Sequence, residues 1–360
     1  MENLERLGLF NNIYKDKTVF ITGHTGFKGS WLALWLKQLG ANIIGFSKDM
    51  HTSPSHIESL NLKLTSIFGD IRDYDFLKIN LEKYKPDIIF HLAAQALVGE
   101  SYTNPKETFD VNISGLINLL ESSKKIENLR AVINVTSDKC YYNDNGIFSF
   151  REDDKLGGYD PYSCSKSCSE LITLCYRHSF FSNDSSSNKI LIATARAGNV
   201  IGGGDWNKSR LITDIIYSII NKNTMLVRNP EAIRPWQHVL DVIYGYLLLG
   251  EKLLKGDKNY AEAWNFGPTN SKIIKVKDIL KIFKNNFKNL EYVLDKNSYY
   301  EAGFLKLDSL KAQLKLNWQS LWDIDVSLVK TCNWYKEYLY DNKCISLEQL
   351  KSYIKDLEGK

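Results

Sequence analysis

The chain has 360 residues, 44% of them hydrophobic and 24% charged, enough to bury a full core in one large domain or two interleaved ones. A formal net charge of only +4, with no Lys/Arg block, argues against a nucleic-acid partner. Six cysteines without a Cys-x-x-Cys pair, no secretory signal order and no apolar run of roughly 20 residues point to a soluble, cytoplasmic protein with reduced thiols and no membrane partner.

In chain order, apolar runs at 18–22, 42–46, 66–70, 87–91, 131–135 and 190–194 read as buried strands. Helical stretches fall between them, at 30–39, 108–120 and 165–180 among others. The polar run 182–188 reads as a surface loop. After Arg196 the pattern is irregular: a loop at 202–206, a helix at 210–221, a turn-rich connection at 230–235, a helix at 239–254 and a short strand at 263–266. Lys-rich helices follow around 276–286 and 327–340. Near-continuous apolar strands alternating with helices predict an α/β fold, a Rossmann-like doubly wound parallel sheet with a smaller, mostly C-terminal lobe.

Between the first strand and the first helix lies Gly23-His24-Thr25-Gly26-Phe27-Lys28-Gly29. Glycines at this spacing let the backbone approach a pyrophosphate and aim helix N–H groups at its charge. The spacing alone is a weak signal, and the flanking strand and helix strengthen it. Asp70 and Ile71 are candidates to meet an adenine edge, Ala93 and Ala94 leave room for a cofactor, and Asn112 is placed to hold cleft water or backbone. The second strand runs into Ser47, Lys48 and Asp49, so its late carboxylate and preceding lysine leave NAD and NADP both open. His24 either touches the cofactor or caps the loop. His91 reads as a satisfied core histidine, and no cluster has metal spacing.

Tyr162 and Lys166 stand four residues apart on one helical face. A lysine so placed is expected to lower the phenol from its usual pKa of about 10, so that it takes a hydroxyl proton as hydride leaves the same carbon. Thr136-Ser137-Asp138-Lys139-Cys140 adds an acid and a basic residue side by side.

The glycine turn, His91-Leu92-Ala93-Ala94, the Ser137 segment and the Tyr162–Lys166 pair resemble the extended short-chain dehydrogenase/reductases. Longer matches at 26–31, 136–141, 156–162, 196–206 and 234–238 resemble the CDP-glucose 4,6-dehydratases within that family. The resemblance runs from about residue 18 to 270. It implies NAD as cofactor, bound by Gly23, His24, Thr25, Gly26 and Phe27 with Tyr162 and Lys166, and CDP-glucose as the nucleotide-sugar substrate. Tyr162 would deprotonate the 4-hydroxyl, Ser137 hydrogen-bond the 4-oxygen, and Asp138 protonate the departing 6-hydroxyl. Lys139, where related dehydratases carry Glu, is a candidate for the C5 base, for electrostatic stabilisation of the enolate, or for a merely solvated side chain. Gln95, Ser101 and Tyr102 are candidates for the sugar pocket, Asn199, Arg210 and Arg234 for the phosphates, and Gln237 for the base or ribose. Trp206 and Trp236 either wall the nucleotide or fill the lobe interface. The helices at 108–120 and 165–180 imply a homodimer. On this reading 1–196, with returns at about 236–267, holds the cofactor, and 197–235 with 268–360 holds the nucleotide sugar.

Overall fold

The computed structural model describes residues 8–144, 148–181, 190–227, 229–269, 272, 274–294 and 305–359. The loop expected at 182–188 lies outside these. The strands are β1 (Thr18–Thr22), β2 (Asn42–Ser47), β3 (Thr65–Phe68), β4 (Ile88–His91), β5 (Ala131–Val135), β6 (Leu191–Ala197), β7 (Val200–Ile201), β8 (Thr224–Val227), β9 (Gln237–His238), β10 (Ala263–Phe266) and β11 (Glu291–Leu294). The helices are α1 (Phe27–Gln38), α2 (His56–Leu60), α3 (Tyr74–Tyr84), α4 (Val98–Thr103), α5 (Pro105–Phe109), α6 (Gly115–Ser123), α7 (Pro161–Tyr176), α8 (Leu211–Asn221), α9 (Val239–Leu254), α10 (Val276–Asn286), α11 (Leu310–Leu316), α12 (Ile324–Asp341) and α13 (Ser346–Glu358).

The main sheet is ordered β10-β6-β5-β4-β1-β2-β3, with every pairing parallel among the described residues. Strand order reverses at β1 and β4, so a crevice opens beyond their C-terminal ends, where a doubly wound sheet binds its ligand. Strands β1, β4, β5 and β6 are buried almost throughout, which is why they read as unbroken apolar runs. Two short parallel pairs, β7 with β9 and β8 with β11, lie outside this sheet. None of these four short strands is among the elements expected from the sequence.

The helix expected over 108–120 is divided into α5, a widened π turn at Asp110–Ser114, and α6. The widening turns Asn112 inward, where it is buried. The far end of the chain returns to the front. Tyr353 of α13 meets Trp35 of α1 edge-on at 5.6 Å, and His56 bridges Ser30 Oγ at 2.7 Å and Ser346 Oγ at 2.8 Å. Trp206 packs among Tyr217, Trp334, Tyr335 and Tyr338, filling the interface between layers.

Four histidines are buried in these layers. Burial holds His24 at about 4 and His56, His91 and His238 at about 3. The unfolded chain takes up these four protons below about pH 6.5 while the folded chain does not, so stability is full above that pH and falls as acid is added. Each histidine contributes a slope of about 1.4 kcal/mol per pH unit. Asp138 and Glu152, raised by burial, pull the other way, two groups against four. Urea unfolding at about pH 7.5 and pH 5.5 is expected to show a clearly lower midpoint in acid; equal midpoints would contradict this assignment of neutral imidazoles.

Candidate active site

The chain leaves β1 through Gly23, whose φ of 74° suits glycine. A Cβ there would lie 2.7 Å from Ala93 N, and one on Gly29 would lie 2.1 Å from Gly23 O. Gly26 caps α1, so the helix N-terminus opens directly on the crevice. This cradle fits a pyrophosphate, which needs close backbone and unpaired N–H groups. Thr22 Oγ1 accepts from Leu92 N at 3.2 Å and Ala93 N at 3.1 Å, fastening the β4 exit against the turn.

His24 points away from the crevice. Its ring is buried, hydrogen-bonded to Ser47 Oγ at 2.8 Å and Ser66 Oγ at 2.5 Å, and sits against Gly45. Of its two expected roles this is the packing one. Thr25 donates to Asp49 O at 2.8 Å, and Phe27 is buried beside Gly202. Both Asp70 oxygens are held by Arg72, at 2.9 and 2.5 Å, while Ile71 packs on Gly115 in the core. Lys48 pairs with Glu107 at 3.3 Å. Asn112 receives Gln95 N at 2.8 Å and donates to Gln95 O at 3.0 Å and Ser165 Oγ at 2.8 Å, so it ties the loop after β4 to α7.

The start of α7 is fixed by its cap. Asp160 accepts from Ser163 N at 2.9 Å and Ser163 Oγ at 2.6 Å, and Pro161 occupies the first turn. Tyr162 and Lys166 are thereby set on the buried face. Ser137 follows β5 and begins a tight 3-10 turn, Asp138–Cys140, whose Cys140 O accepts from Ser167 Oγ at 2.8 Å. Ser137 Oγ donates to Asp138 Oδ1 at 2.9 Å and accepts from Lys139 N at 3.2 Å, and it lies close enough to Tyr162 to favour the phenolate. Asp138 Oδ2 is buried with no hydrogen-bond partner among the described residues, and a Cβ on Gly198 would lie 2.9 Å from it. Burial raises the Asp138 carboxyl above its ordinary range, against the pull of Lys139, Ser137 and Lys28. A carboxyl raised in this way is better suited to deliver a proton than a solvated one.

The phenol differs from the sequence expectation. Burial pushes Tyr162 up to about 12, against the Ser137 hydrogen bond and Arg210. Lys166 Nζ lies 5.9 Å from the ring centroid and is itself lowered by burial to about 8, so in the protein alone its charge does not outweigh desolvation.

Several residues expected at the substrate are occupied elsewhere. Gln95 folds onto Leu97, donating to its O at 2.9 Å and accepting from its N at 3.1 Å. Ser101 is fully buried and donates to Val98 O at 2.7 Å. Gln237 is buried and donates to Phe266 O at 2.6 Å. In each the polar head completes local backbone, a use invisible in spacing. Tyr102 is exposed. Asn199 lies between β6 and β7, its carbonyl accepting from Gln237 N at 3.0 Å. Arg210 caps α8, pairs with Asp205 at 2.8 Å and reaches the Tyr162 cluster electrostatically. Arg234 lines a cavity with Trp236, Lys272 and Asp323. Pro235 borders this cavity and also comes within reach of Gly198, beside Asp138.

Lys28 was passed over, although it stands inside the glycine motif. Its amine lies 6.0 Å from the Tyr246 ring centroid, and burial with Lys166 and Arg210 lowers it to about 7. Its position two residues past the helix cap was the available signal.

A Rossmann-like sheet carrying Ser137, Tyr162 and Lys166 beside a glycine turn defines a short-chain dehydrogenase/reductase scaffold. The sequence model described as GDP-mannose 4,6 dehydratase matches residues 20–331, and the chain belongs to that family. It is 43% identical over 333 residues to the CDP-glucose 4,6-dehydratase of Salmonella typhimurium, covering 91% of this chain and 93% of the relative. An epimerase of Methanothermobacter thermautotrophicus superposes with a TM-score of 0.81 at 23% identity, covering 94% and 97% of the two chains. A dTDP-glucose 4,6-dehydratase of Streptomyces venezuelae, solved with NAD and TYD bound, gives 0.73 at 20%, covering 89% and 97%.

Gly29→Ala is expected to weaken dinucleotide binding at least tenfold, since its Cβ falls on the Gly23 carbonyl. Calorimetric titration with NAD, alongside a melt to confirm folding, measures this.

Proposed function

We propose that the chain is an NAD-dependent CDP-glucose 4,6-dehydratase, forming a CDP-4-keto-6-deoxy sugar and water. The observation that carries this reading is Asp138: a buried carboxyl with one oxygen unpartnered among the described residues and the other bonded to Ser137, beside Tyr162. Transfer of hydride alone, as in a 4-epimerase, leaves such an acid without work. The 43% identity over nine-tenths of both chains supports CDP-glucose as the substrate.

The cradle of Gly23, Gly26 and the α1 N-terminus fits NAD, with Tyr162 and Lys166 toward the reacting end. When bound, NAD supplies the hydride acceptor and, oxidised, a positive charge that favours the phenolate. Tyr162 takes the 4-hydroxyl proton, and Ser137 steadies the 4-oxygen. The 4-ketone acidifies the C5 proton, for which Lys139 is the proposed base. Asp138 gives its proton to the departing 6-hydroxyl; the hydride taken from C4 would then return to C6 and a proton to C5, so the 4-keto-6-deoxy product and water form with no net oxidation. Three cations, Lys28, Lys166 and Arg210, crowd this floor and favour an anionic substrate and enolate. Arg210 and Arg234 are the proposed phosphate ligands.

Leu171 and Leu174 are 53% and 45% exposed on α7, which supports a homodimer built on α7 with α5 and α6. Among the described residues no helix is long and apolar enough to cross a membrane, which accords with the cytoplasmic site we propose.

Incubation with CDP-, dTDP-, GDP- and UDP-glucose tests the reading. Only the CDP sugar is expected to lose one water by mass; an unchanged mass with an inverted C4 would make the chain an epimerase. Asp138→Asn is expected to slow elimination about 10²–10⁴-fold while NAD is still reduced. Elimination at the parent rate would remove the acid assignment.

A further inference from the structure

The Asp138–Cys140 turn is held at its outer end by a side chain that the mechanism above does not use. Tyr141 follows the turn directly and is buried. Its hydroxyl donates to Asn265 Oδ1 at 2.7 Å and accepts from Arg196 Nη1 at 2.6 Å. The Asn265 amide nitrogen donates to Phe150 O at 2.8 Å and Asp308 O at 3.1 Å, so only its oxygen is turned toward the phenol. Arg196 is itself bound to Glu170 Oε2 at 2.8 Å and Glu152 O at 2.9 Å. The Phe150 ring lies flat on the Tyr141 ring, with centroids 4.9 Å apart and planes 11° from parallel. Donor, acceptor and face of this phenol are all specified, which leaves the ring one position.

The backbone on either side carries that position into the turn. Cys140 O accepts from Ser167 Oγ at 2.8 Å and Gly157 N at 2.9 Å, and Tyr142 N donates to Lys155 O at 2.9 Å. At the inner end Ser137 Oγ accepts from Lys139 N. Tyr162 and Lys166 are set by a different frame, the Asp160 cap of α7 and the bond from Asn112 to Ser165. We infer that Tyr141 is a positioning residue for the elimination half of the reaction, holding Asp138 and Lys139 in place for loss of water across C5 and C6. The inference rests on the dehydratase reading. In that step the C5–H bond breaks toward Lys139, the C6–O bond breaks, and the oxygen leaves as water with the Asp138 proton. Hydride transfer from C4 belongs to Tyr162, Lys166 and Ser137, and the cap of α7 does not pass through Tyr141. An acid or base displaced by about 1 Å can lose on the order of 10²-fold in rate.

Two variants test this. Tyr141→Phe removes the hydroxyl and keeps the ring; Phe150→Leu removes the stacked face and keeps the hydroxyl's partners. Each is mixed with NAD and CDP-glucose in single turnover, with reduced cofactor followed by absorbance, water loss by mass, and folding by a melt. In Tyr141→Phe water loss is expected to fall about tenfold or more while cofactor reduction stays within about twofold of the parent. Reduced NAD then accumulates together with a 4-keto sugar that still carries its 6-hydroxyl. Phe150→Leu is expected to show the same split more weakly, and it supplies the test if Tyr141→Phe does not fold. Equal slowing of both steps in a folded variant, or water loss at the parent rate, would overturn the inference and leave Tyr141 a packing residue. A parent that dehydrates while its variants show no split removes the inference alone. A parent that loses no water from any nucleoside diphosphate glucose removes the dehydratase reading and the inference with it.

Discussion

The arrangement of the site depends on one buried ion pair. Glu170 belongs to α7, and Arg196 to β6; Thr136, at the end of β5, and Thr194, in β6, complete the cluster. Arg196 also donates to Tyr141 Oη at 2.6 Å and Glu152 O at 2.9 Å, and Tyr141 passes the connection to Asn265 in β10. One carboxylate thus fixes the axial position of α7 against β5 and β6, and Arg196 with Tyr141 extends the connection to β10. A slip of α7 by one residue would swing Tyr162 and Lys166 about 100° around the helix, away from Ser137. Buried pairs add little net stability over an apolar filling, whereas losing one partner costs about 3–5 kcal/mol. This pair is better understood as a register device than as glue.

Around that register the cleft is cationic and dry. Lys28 lies amid Lys166, Arg210 and the Asp138 carboxyl, and Arg210 is paired with Asp205 at 2.8 Å. Burial lowers both amines, with like charges adding to it at Lys28, and burial raises the acid. A site meant to move protons in both directions gains from acids and bases displaced toward one another.

Much of this was legible in the chain itself. The six early strands read correctly because a parallel sheet buried on both faces writes itself as unbroken apolar runs. β3 ended two residues sooner than expected, since Asp70 turns aside to Arg72. The glycine spacing and the Tyr162–Lys166 interval place chemistry through local geometry, so they survive in one dimension. Gln95, Ser101 and Gln237 did not, because whether an amide or hydroxyl meets ligand or nearby backbone is decided by three-dimensional neighbours. Spacing likewise reports the cation beside Tyr162 and says nothing of the burial that raises the phenol in the protein alone. Lys28 was overlooked because its motif drew attention to the glycines alone. The short β7–β9 and β8–β11 pairs carry no pattern long enough to register, whereas α13 does, with Leu347, Leu350, Tyr353, Ile354 and Leu357 at helical spacing.

The bridge from Ser30 through His56 to Ser346 spans 290 positions between His56 and its second partner. During synthesis the first helix must therefore wait, its tryptophans Trp31 and Trp35 uncovered, until the final helix has emerged to complete their packing. Until then the nascent chain presents an apolar surface of the kind that chaperones recognise.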